Sequence, residues 1–271
     1  MFEMYTISLL RRALLPFAGR CAKKISAFAL FTFILLSCGG EALAAVVDAK
    51  SCAVYDGLLY RVDQNGQKKQ VEAAEVVEAA VKGGKIYWLA VDPEFDGEDE
   101  EMFRSWRSGI YFFGGDGKFI SCLEKEDPQM SYIIFSPDGK QFVLDSGTYV
   151  DRDYKLYAFD GLKLKKEFYG LSELEWLDPA RFVFTLIDGK HGARSSNADI
   201  PGWTSVVVYD SASGSLKTLT AATKTEDYML DAVNISAKEL SITKYSVKNE
   251  KDWSNEDKIE EQEISLPIPP N

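Results

Sequence analysis

Histidine and cysteine are scarce in this chain of 271 residues, which has one histidine and four cysteines. The single histidine, His191, cannot supply the His-Glu-x-x-His pair of a zinc protease. Cys-x-x-Cys, phosphate-loop, dinucleotide and Gly-x-Ser-x-Gly patterns are also missing. Zinc, thiol-redox, nucleotide and serine-hydrolase chemistry therefore have no support in the sequence, and we predict neither a catalytic residue nor a cofactor.

No charged residue interrupts the apolar run from Ile25 to Leu36, but this run is well short of the roughly 20 residues that a membrane-spanning helix needs. Five basic residues precede it within residues 1–24, and the small-residue segment Ala42-Leu43-Ala44 follows it. A basic start, a short apolar core and small residues form the layout of a secretory signal. We expect cleavage between Ala44 and Ala45 and a mature protein in the periplasm or outside the cell.

A lipid-anchored alternative rests on the segment Leu35-Leu36-Ser37-Cys38-Gly39, which resembles the lipobox of bacterial lipoproteins. In that family the cysteine is acylated and becomes the first residue, so the resemblance implies attachment of Cys38 to the cell envelope. Leu36 departs from the family pattern, which places a smaller residue there. Cleavage after Ala44 is therefore preferred, and lipidation of Cys38 is the alternative.

Negative charge dominates the chain, which has 31 Lys and Arg against 42 Asp and Glu and a net charge of −11. Loss of five basic and two acidic residues with segment 1–44 brings the net charge to −14. Such a surface repels nucleic-acid phosphates and anionic lipid. Nucleic-acid binding is thus disfavoured, and we expect membrane contact only if Cys38 is lipidated.

Helical periodicity is hardly seen after Cys52, where short β-type segments alternate with turn signals. The clearest group lies within residues 132–164, where four strands are joined by two tight turns and one longer loop. Repeats of about 40 residues with four antiparallel strands are typical of a β-propeller, in which each blade buries both faces. Three further groups follow the same plan less clearly, in residues 76–123, 174–219 and 229–266.

The segment Phe135-Ser136-Pro137-Asp138-Gly139-Lys140 resembles the WD40-like repeat of bacterial periplasmic propellers, of the kind found in the Tol translocation protein and the prolyl oligopeptidase relatives. The match is good over residues 131–170 and weaker over 173–220. Proline and Asp-Gly make the tight bend between the first and second strands of a blade. The resemblance implies a propeller fold, and it implies no particular chemistry.

We therefore expect an all-β domain over residues 45–266, followed by a proline-rich tail at 267–271. The strand count predicts four blades, or five if the hairpin at 52–72 forms more than a partial blade. The last repeat lacks a fourth strand, so we expect the N-terminal hairpin to help close the ring, because an unclosed sheet edge promotes aggregation. A β-sandwich built from similar short strands is the alternative.

Two cysteines, Cys52 and Cys122, remain after the signal. An even pair in an oxidising compartment can form a disulfide, whereas two buried thiols are the alternative. We predict the disulfide because closure of the ring would bring the two segments together.

Length variation falls in the connections between the second and third strands of each repeat, here called the b–c loops. Alternate connections of an antiparallel blade leave at one end, so these loops share a face, where binding is expected. Trp106, Trp203 and Trp253 lie in them and serve either as binding anchors or as caps of the blade cores. The candidate binding residues are Trp106, Trp203, Trp253, Arg104, Arg107, Lys190, His191 and Arg194.

Seven carboxylates lie between Asp92 and Glu101 in the first b–c loop. Calcium takes six to eight oxygen ligands, but this run lacks the alternating spacing of a calcium-hand loop. A solvated acidic loop that could meet a basic partner is the preferred interpretation.

The sequence thus favours a non-catalytic, monomeric periplasmic propeller that binds a protein or peptide of the cell envelope. Two other functions remain open. A carbohydrate-active propeller could use paired carboxylates, which need no motif. A purely structural component of the envelope is the third possibility.

Overall fold

The computed structural model describes residues 48–72, 74–91, 106, 108–126, 131–147, 151–188 and 202–270. Within these ranges the chain is almost entirely antiparallel β-structure, with short 3-10 turns between strands. In the part of the chain so described, no helix combines the length and apolar character of a membrane span.

Three strands form the N-terminal sheet. Asp56 and Gly57 join the first two with φ angles of 51° and 76°, the left-handed conformation of a tight hairpin turn. The carboxylate of Asp63 closes the next turn, since it accepts the amides of Asn65 and Gln67 at 2.8 Å each. The strands are β1 (Cys52–Tyr55), β2 (Leu58–Val62) and β3 (Lys68–Gln70).

Blade 1 follows as a four-stranded antiparallel sheet in sequence order. Its two inner strands are Gly84–Val91 and Gly109–Gly114. The buried side chains on these strands alternate between the two faces of the sheet. The strands are β4 (Val77–Val81), β5 (Gly84–Val91), β6 (Gly109–Gly114) and β7 (Phe119–Glu124).

Blades 2 and 3 are joined in one seven-stranded sheet because a single long strand belongs to both. Leu171 on this strand pairs with Asp151 on one side and with Thr185 on the other. The strands are β8 (Tyr132–Phe135), β9 (Gln141–Ser146), β10 (Asp151–Ala158), the shared β11 (Lys163–Trp176), β12 (Arg181–Ile187), β13 (Thr204–Asp210) and β14 (Ser215–Thr218).

Blade 4 has three strands, β15 (Glu226–Asn234), β16 (Glu239–Ser246) and β17 (Glu260–Pro267), so it lacks a fourth strand as the sequence indicates. The expected ring closure is wrong in this structure. Among the described residues β17 pairs only with β16, and β3 pairs only with β2.

The N-terminal sheet is instead fastened to blade 1. The amide of Val54 donates to the carbonyl oxygen of Gly117 at 2.9 Å, and Ala53 bridges Lys118. A Cβ atom on Gly117 would lie 1.9 Å from the Val54 carbonyl oxygen, so only glycine permits this approach. The hairpin therefore acts as a partial blade in front of blade 1.

Both faces of the inner blades are buried against their neighbours. On β5, Tyr87 and Leu89 pack against the N-terminal sheet, whereas Ile86 and Trp88 pack against blade 2. On β12, Phe182 and Phe184 face blade 2. Val183, between them, faces blade 4. Each fully buried side chain of this size contributes about 1.5–3 kcal/mol.

This face-to-face succession of four-stranded blades is the β-propeller plan, here with unclosed ends. A β-sandwich has only two packed sheets with one buried face each. Four apolar clusters rule that alternative out, three of them between successive sheets and one between blades 2 and 3 of the seven-stranded sheet.

The Ser-Pro-Asp-Gly segment forms the predicted bend between β8 and β9. The hydroxyl of Ser136, which is fully buried, donates to Asp138 at 2.9 Å and accepts the amide of Gln141 at 3.1 Å. Gly139 has a φ of 69°, and a Cβ atom there would lie 3.1 Å from the side chain of Val81 in blade 1. The motif thus also sets the contact between two blades.

The predicted disulfide is absent, because Cys52 and Cys122 are both thiols in the structure. Their surroundings fit this state. Burial raises the pKa of Cys52 to about 11, despite a hydrogen bond with Ser51 that lowers it. Cys122 is half-buried, and its Sγ lies 4.0 Å from a carboxylate oxygen of Glu124. Both side chains contact the same apolar cluster between the N-terminal sheet and blade 1.

Candidate functional site

The turns between the first and second strands of the blades lie together at one end of the molecule, here called the turn end. The amide of Lys82 in blade 1 donates to the carbonyl oxygen of Pro137 in blade 2 at 2.7 Å. The side-chain amide of Gln141 donates in turn to Pro179 in blade 3 at 3.2 Å. Successive turns are therefore tied directly to one another.

The b–c connections of blades 2, 3 and 4 leave the sheets at the opposite end, here called the loop end. Leu171 pairs with Asp151 at the start of β10 and with Thr185 near the end of β12. The strand ends that bear the b–c connections of blades 2 and 3 therefore lie close together. In blade 4 the amide of Val247, which follows β16, donates to the carbonyl of Thr225 just before β15. In blades 2, 3 and 4 the strand ends that bear the b–c loops therefore lie at the end opposite the first turns.

Buried polar side chains support the loop end. The carboxylate of Asp227, fully buried, accepts the amide of Thr204 at 3.1 Å. The hydroxyl of Thr204 accepts the amide of Tyr228 at 3.2 Å, and that of Thr185 accepts the amide of Leu230 at 2.8 Å. Since these bonds connect blade 3 to blade 4, the base of the blade 3 loop is rigid.

Trp203 stands at the base of that loop. It is half-buried and has a φ of 56°, a left-handed conformation that costs a bulky residue roughly 1–2 kcal/mol. Its carbonyl oxygen accepts the amide of Asp188 at 3.0 Å, which closes the base of the loop. The chain thus holds a large aromatic side chain partly exposed at the loop end.

Trp106 and Trp253 are in a different position, because they are only 6% and 1% exposed. The ring of Trp106 lies 4.4 Å from that of Tyr111 between the N-terminal sheet and blade 1. Trp253 packs with Tyr245 and Val247 and donates its indole N–H to the carbonyl of Lys224 at 3.0 Å. These two tryptophans are caps of the blade cores, which corrects their prediction as binding anchors.

The remaining predicted residues lie outside the described part of the chain. They are the basic residues Arg104, Arg107, Lys190, His191 and Arg194, the acidic run from Asp92 to Glu101, the lipidation candidate Cys38 and the cleavage pair Ala44 and Ala45. Within the described ranges no group of three or more His, Cys, Asp or Glu side chains is placed to hold a metal ion.

A second candidate site, missed by the sequence analysis, lies at the turn end of blades 3 and 4. The segment Ile268–Pro270, which follows β17, runs back across the turn before β12. The Nη1 atom of Arg181 donates to the carbonyl oxygens of Pro269 at 3.0 Å and Pro270 at 3.1 Å. We call this arrangement the tail cleft.

Asp178 and Asp210 line the tail cleft, and both carboxylates are held by hydrogen bonds. Burial alone would raise the pKa of Asp178, but hydrogen bonds from Ala180 and Arg181 lower it. Hydrogen bonds from Ser213 and Ala212 lower the pKa of Asp210. A glycosidase needs one protonated carboxyl group as its general acid. Both aspartates have a lowered pKa, which favours the charged form over the protonated form of a general acid.

No protein-family model matches the chain, and no curated protein matches it in sequence. Among solved structures, the hydrazine synthase of Kuenenia stuttgartiensis is 14% identical over 79% of this chain and 57% of its own, with a TM-score of 0.39. The propeller domain of the Pyrococcus furiosus Trilobed protease is 11% identical over 78% of this chain and 64% of its own (TM-score 0.36). TolB from Acinetobacter baumannii is 15% identical over 78% and 59% (TM-score 0.28).

The chain therefore spans less than two thirds of the length of each of these proteins. All three TM-scores are below 0.5, so the fold assignment rests on the sheets and the apolar clusters between them.

Proposed function

We propose that the protein is a non-catalytic propeller of the WD40-like periplasmic type, which is exported and binds a protein or peptide partner of the cell envelope through its loop end. Export follows from the signal layout of residues 1–44, with cleavage before Ala45. The single observation that carries the binding proposal is the half-buried, left-handed Trp203 at the base of the blade 3 loop, where hydrogen bonds tie blade 3 to blade 4.

Backbone strain of this kind persists only where the surrounding structure enforces it, and it is concentrated at binding and catalytic sites. Tryptophan also supplies a large contact area at a small cost in side-chain entropy, which makes it a frequent energetic centre of interfaces. Basic residues of the same sequence segment, such as Lys190 and Arg194, would fit an acidic patch of the partner. The acidic run 92–101 would fit a basic one.

This function can be tested by placing a photo-crosslinking amino acid at position 203 and irradiating cells that export the protein. We expect a single crosslinked partner, and none from position 216, where Leu216 is 44% exposed on β14 as a matched control. Equal crosslinking from both positions, or none from position 203, would contradict the proposal.

With the crosslinked partner purified, Trp203→Ala should weaken binding by about 30-fold, which corresponds to about 2 kcal/mol. The variant should keep the melting temperature of the parent within a few degrees. A glycan panel provides the test of the carbohydrate-active alternative, since turnover of any glycan would show catalysis.

A further inference from the structure

The tail cleft is independent of the loop end and has features of a recognition site for extended peptide. Arg181 is positioned without help from the tail. Its Nε atom donates to Asp178, a residue outside the tail, at 2.6 Å. Asp178 is itself held by the amides of Ala180 and Arg181, at 2.8 and 2.9 Å. The guanidinium is therefore fixed with Nη1 directed into the cleft.

The segment that fills the cleft shows what the cleft accepts. Pro269 and Pro270 have no amide hydrogen, so their backbone presents only acceptors to Arg181. Proline is also largely pre-ordered in the extended conformation, which lowers the entropy cost of docking. Ile268 holds the start of the segment, because its amide donates to the carbonyl of Lys238 at 2.9 Å and its side chain packs against the cluster between blades 3 and 4.

The cleft has more room than the segment uses. A hollow of about 320 Å³ borders Pro269 and Pro270, and its other lining residues include Val208, Ala212, Asp210, Ser215 and Lys217. A second, of about 490 Å³, also borders these prolines and is lined by Leu177, Ile235 and Lys238. Apolar walls with a few polar groups are typical of ligand sites.

We propose that the tail cleft is a binding site for an extended, proline-containing segment of another protein, and that Ile268–Pro270 occupies it as an internal ligand. The recognition is of main-chain carbonyl oxygens by Arg181, with apolar side chains directed into the two hollows. An external segment must displace the internal one, which is present at the high effective concentration of a tethered ligand.

The test uses a fluorescent peptide with the sequence of residues 264–271 and a protein that ends at Pro267. The shortened protein should bind the peptide at least 10-fold more tightly than the full chain does, and bound peptide should raise its melting temperature. A peptide with alanine in place of both Pro269 and Pro270 should bind at least 5-fold more weakly.

Arg181→Lys in the shortened protein should weaken binding at least 10-fold, because the lysine keeps the charge but loses the guanidinium fork. Lys140→Ala is the matched control, since that side chain is 81% exposed at the same end and outside the cleft. If the shortened chain does not fold, the double variant Pro269→Gly, Pro270→Gly of the full chain replaces it, with the same expected gain in affinity.

Three results would overturn the proposal. The first is a folded shortened protein that does not bind the peptide. The second is equal affinity of the shortened and full chains. The third is unchanged binding by the Arg181→Lys variant.

Discussion

Arg152 and Asp145 form a buried ion pair at the loop end of blade 2. The Nε atom of Arg152 lies 2.6 Å from Oδ1 of Asp145, and both side chains are only 9% exposed. Arg152 also donates to the carbonyl oxygen of Gly147 at 2.9 Å, so it ties the start of β10 to the end of β9. The pair therefore fixes the base of the loop between these strands.

Removal of one partner should be costly, because the other charge remains buried. We expect Asp145→Ala to lower the free energy of unfolding by about 3–5 kcal/mol, measured by urea denaturation. Lys85→Ala is the control, since its ion pair with Glu78 is about half exposed and its loss should cost clearly less. Similar losses for the two variants would show that the Asp145 pair is solvated.

The bend of the Ser-Pro-Asp-Gly motif should depend on Gly139. Gly139→Ala places a side chain at a φ of 69°, 3.1 Å from Val81, so both backbone strain and crowding of blade 1 result. We expect a loss of about 1–3 kcal/mol in the free energy of unfolding. Gly161→Ala has a similar φ of 70° with nothing within 4 Å, and it should cost clearly less. Equal costs would mean that Gly139 sets no contact between blades.

Trp253 should contribute to stability alone. Trp253→Ala removes a fully buried indole and its hydrogen bond to Lys224, with an expected loss of about 3–5 kcal/mol in the free energy of unfolding. The folded fraction should bind the partner with unchanged affinity. If the Trp253→Ala variant is fully folded but binds the partner more weakly, Trp253 is part of the binding surface.

Asp231 gives the stability a pH dependence of known sign. Burial raises its pKa, opposed by the hydrogen bond from Thr243 and increased by the charge of Glu263. Since the folded state then holds the proton more tightly than the unfolded state, Asp231 disfavours folding above its folded pKa, and this cost disappears as the pH falls through that pKa.

Asp231→Asn keeps an acceptor for Thr243 and should therefore raise the melting temperature at pH 7. The difference from the parent should shrink in acid. A variant that is less stable than the parent at pH 7 would contradict the raised pKa.

The two thiols should differ in reactivity in a protein that starts at Ala45. Cys52 is buried with a raised pKa, whereas Cys122 is half-buried. A thiol reagent at pH 8 should modify Cys122 first, and both after unfolding without reductant. Failure to detect any thiol in the unfolded, unreduced protein would show that the two are bonded.

Local signals were sufficient for the strands and most of their turns. The Ser136 to Lys140 segment predicted its bend because proline, Asp-Gly and the flanking apolar runs all act within a few residues. The absence of a fourth strand in blade 4 was predictable for the same reason. The sequence after the third strand contains no further β-type segment with its turn.

Contacts between distant residues were not predictable in this way. Arg181 and Pro269 are 88 positions apart, and a proline-rich tail by itself is typical of solvated chain. The burial of Trp253 depends on the 3-10 turn at Glu250–Ser254, which covers the outer face of blade 4. A tryptophan that recurs at the same position of each repeat can be either buried or exposed, so the sequence left open whether it is a core cap or a binding anchor. Ring closure was also a prediction about distant strands, and it was wrong: the N-terminal sheet contacts blade 1 at Gly117, and β17 pairs only with β16 among the described residues.

The position of Leu171, paired on both sides, makes blades 2 and 3 one cooperative unit. The ladders of the two blades overlap at Gly170 and Leu171 of β11, so opening of either blade disturbs residues that the other blade also uses. The outer sheets are joined to this unit by apolar packing and a few hydrogen bonds, so they can fray without breaking it. Backbone amides of blades 2 and 3 should accordingly exchange hydrogen slowly, and those of the N-terminal sheet, blade 1 and blade 4 should exchange faster. The loop end of blade 3 belongs to the slowly exchanging part.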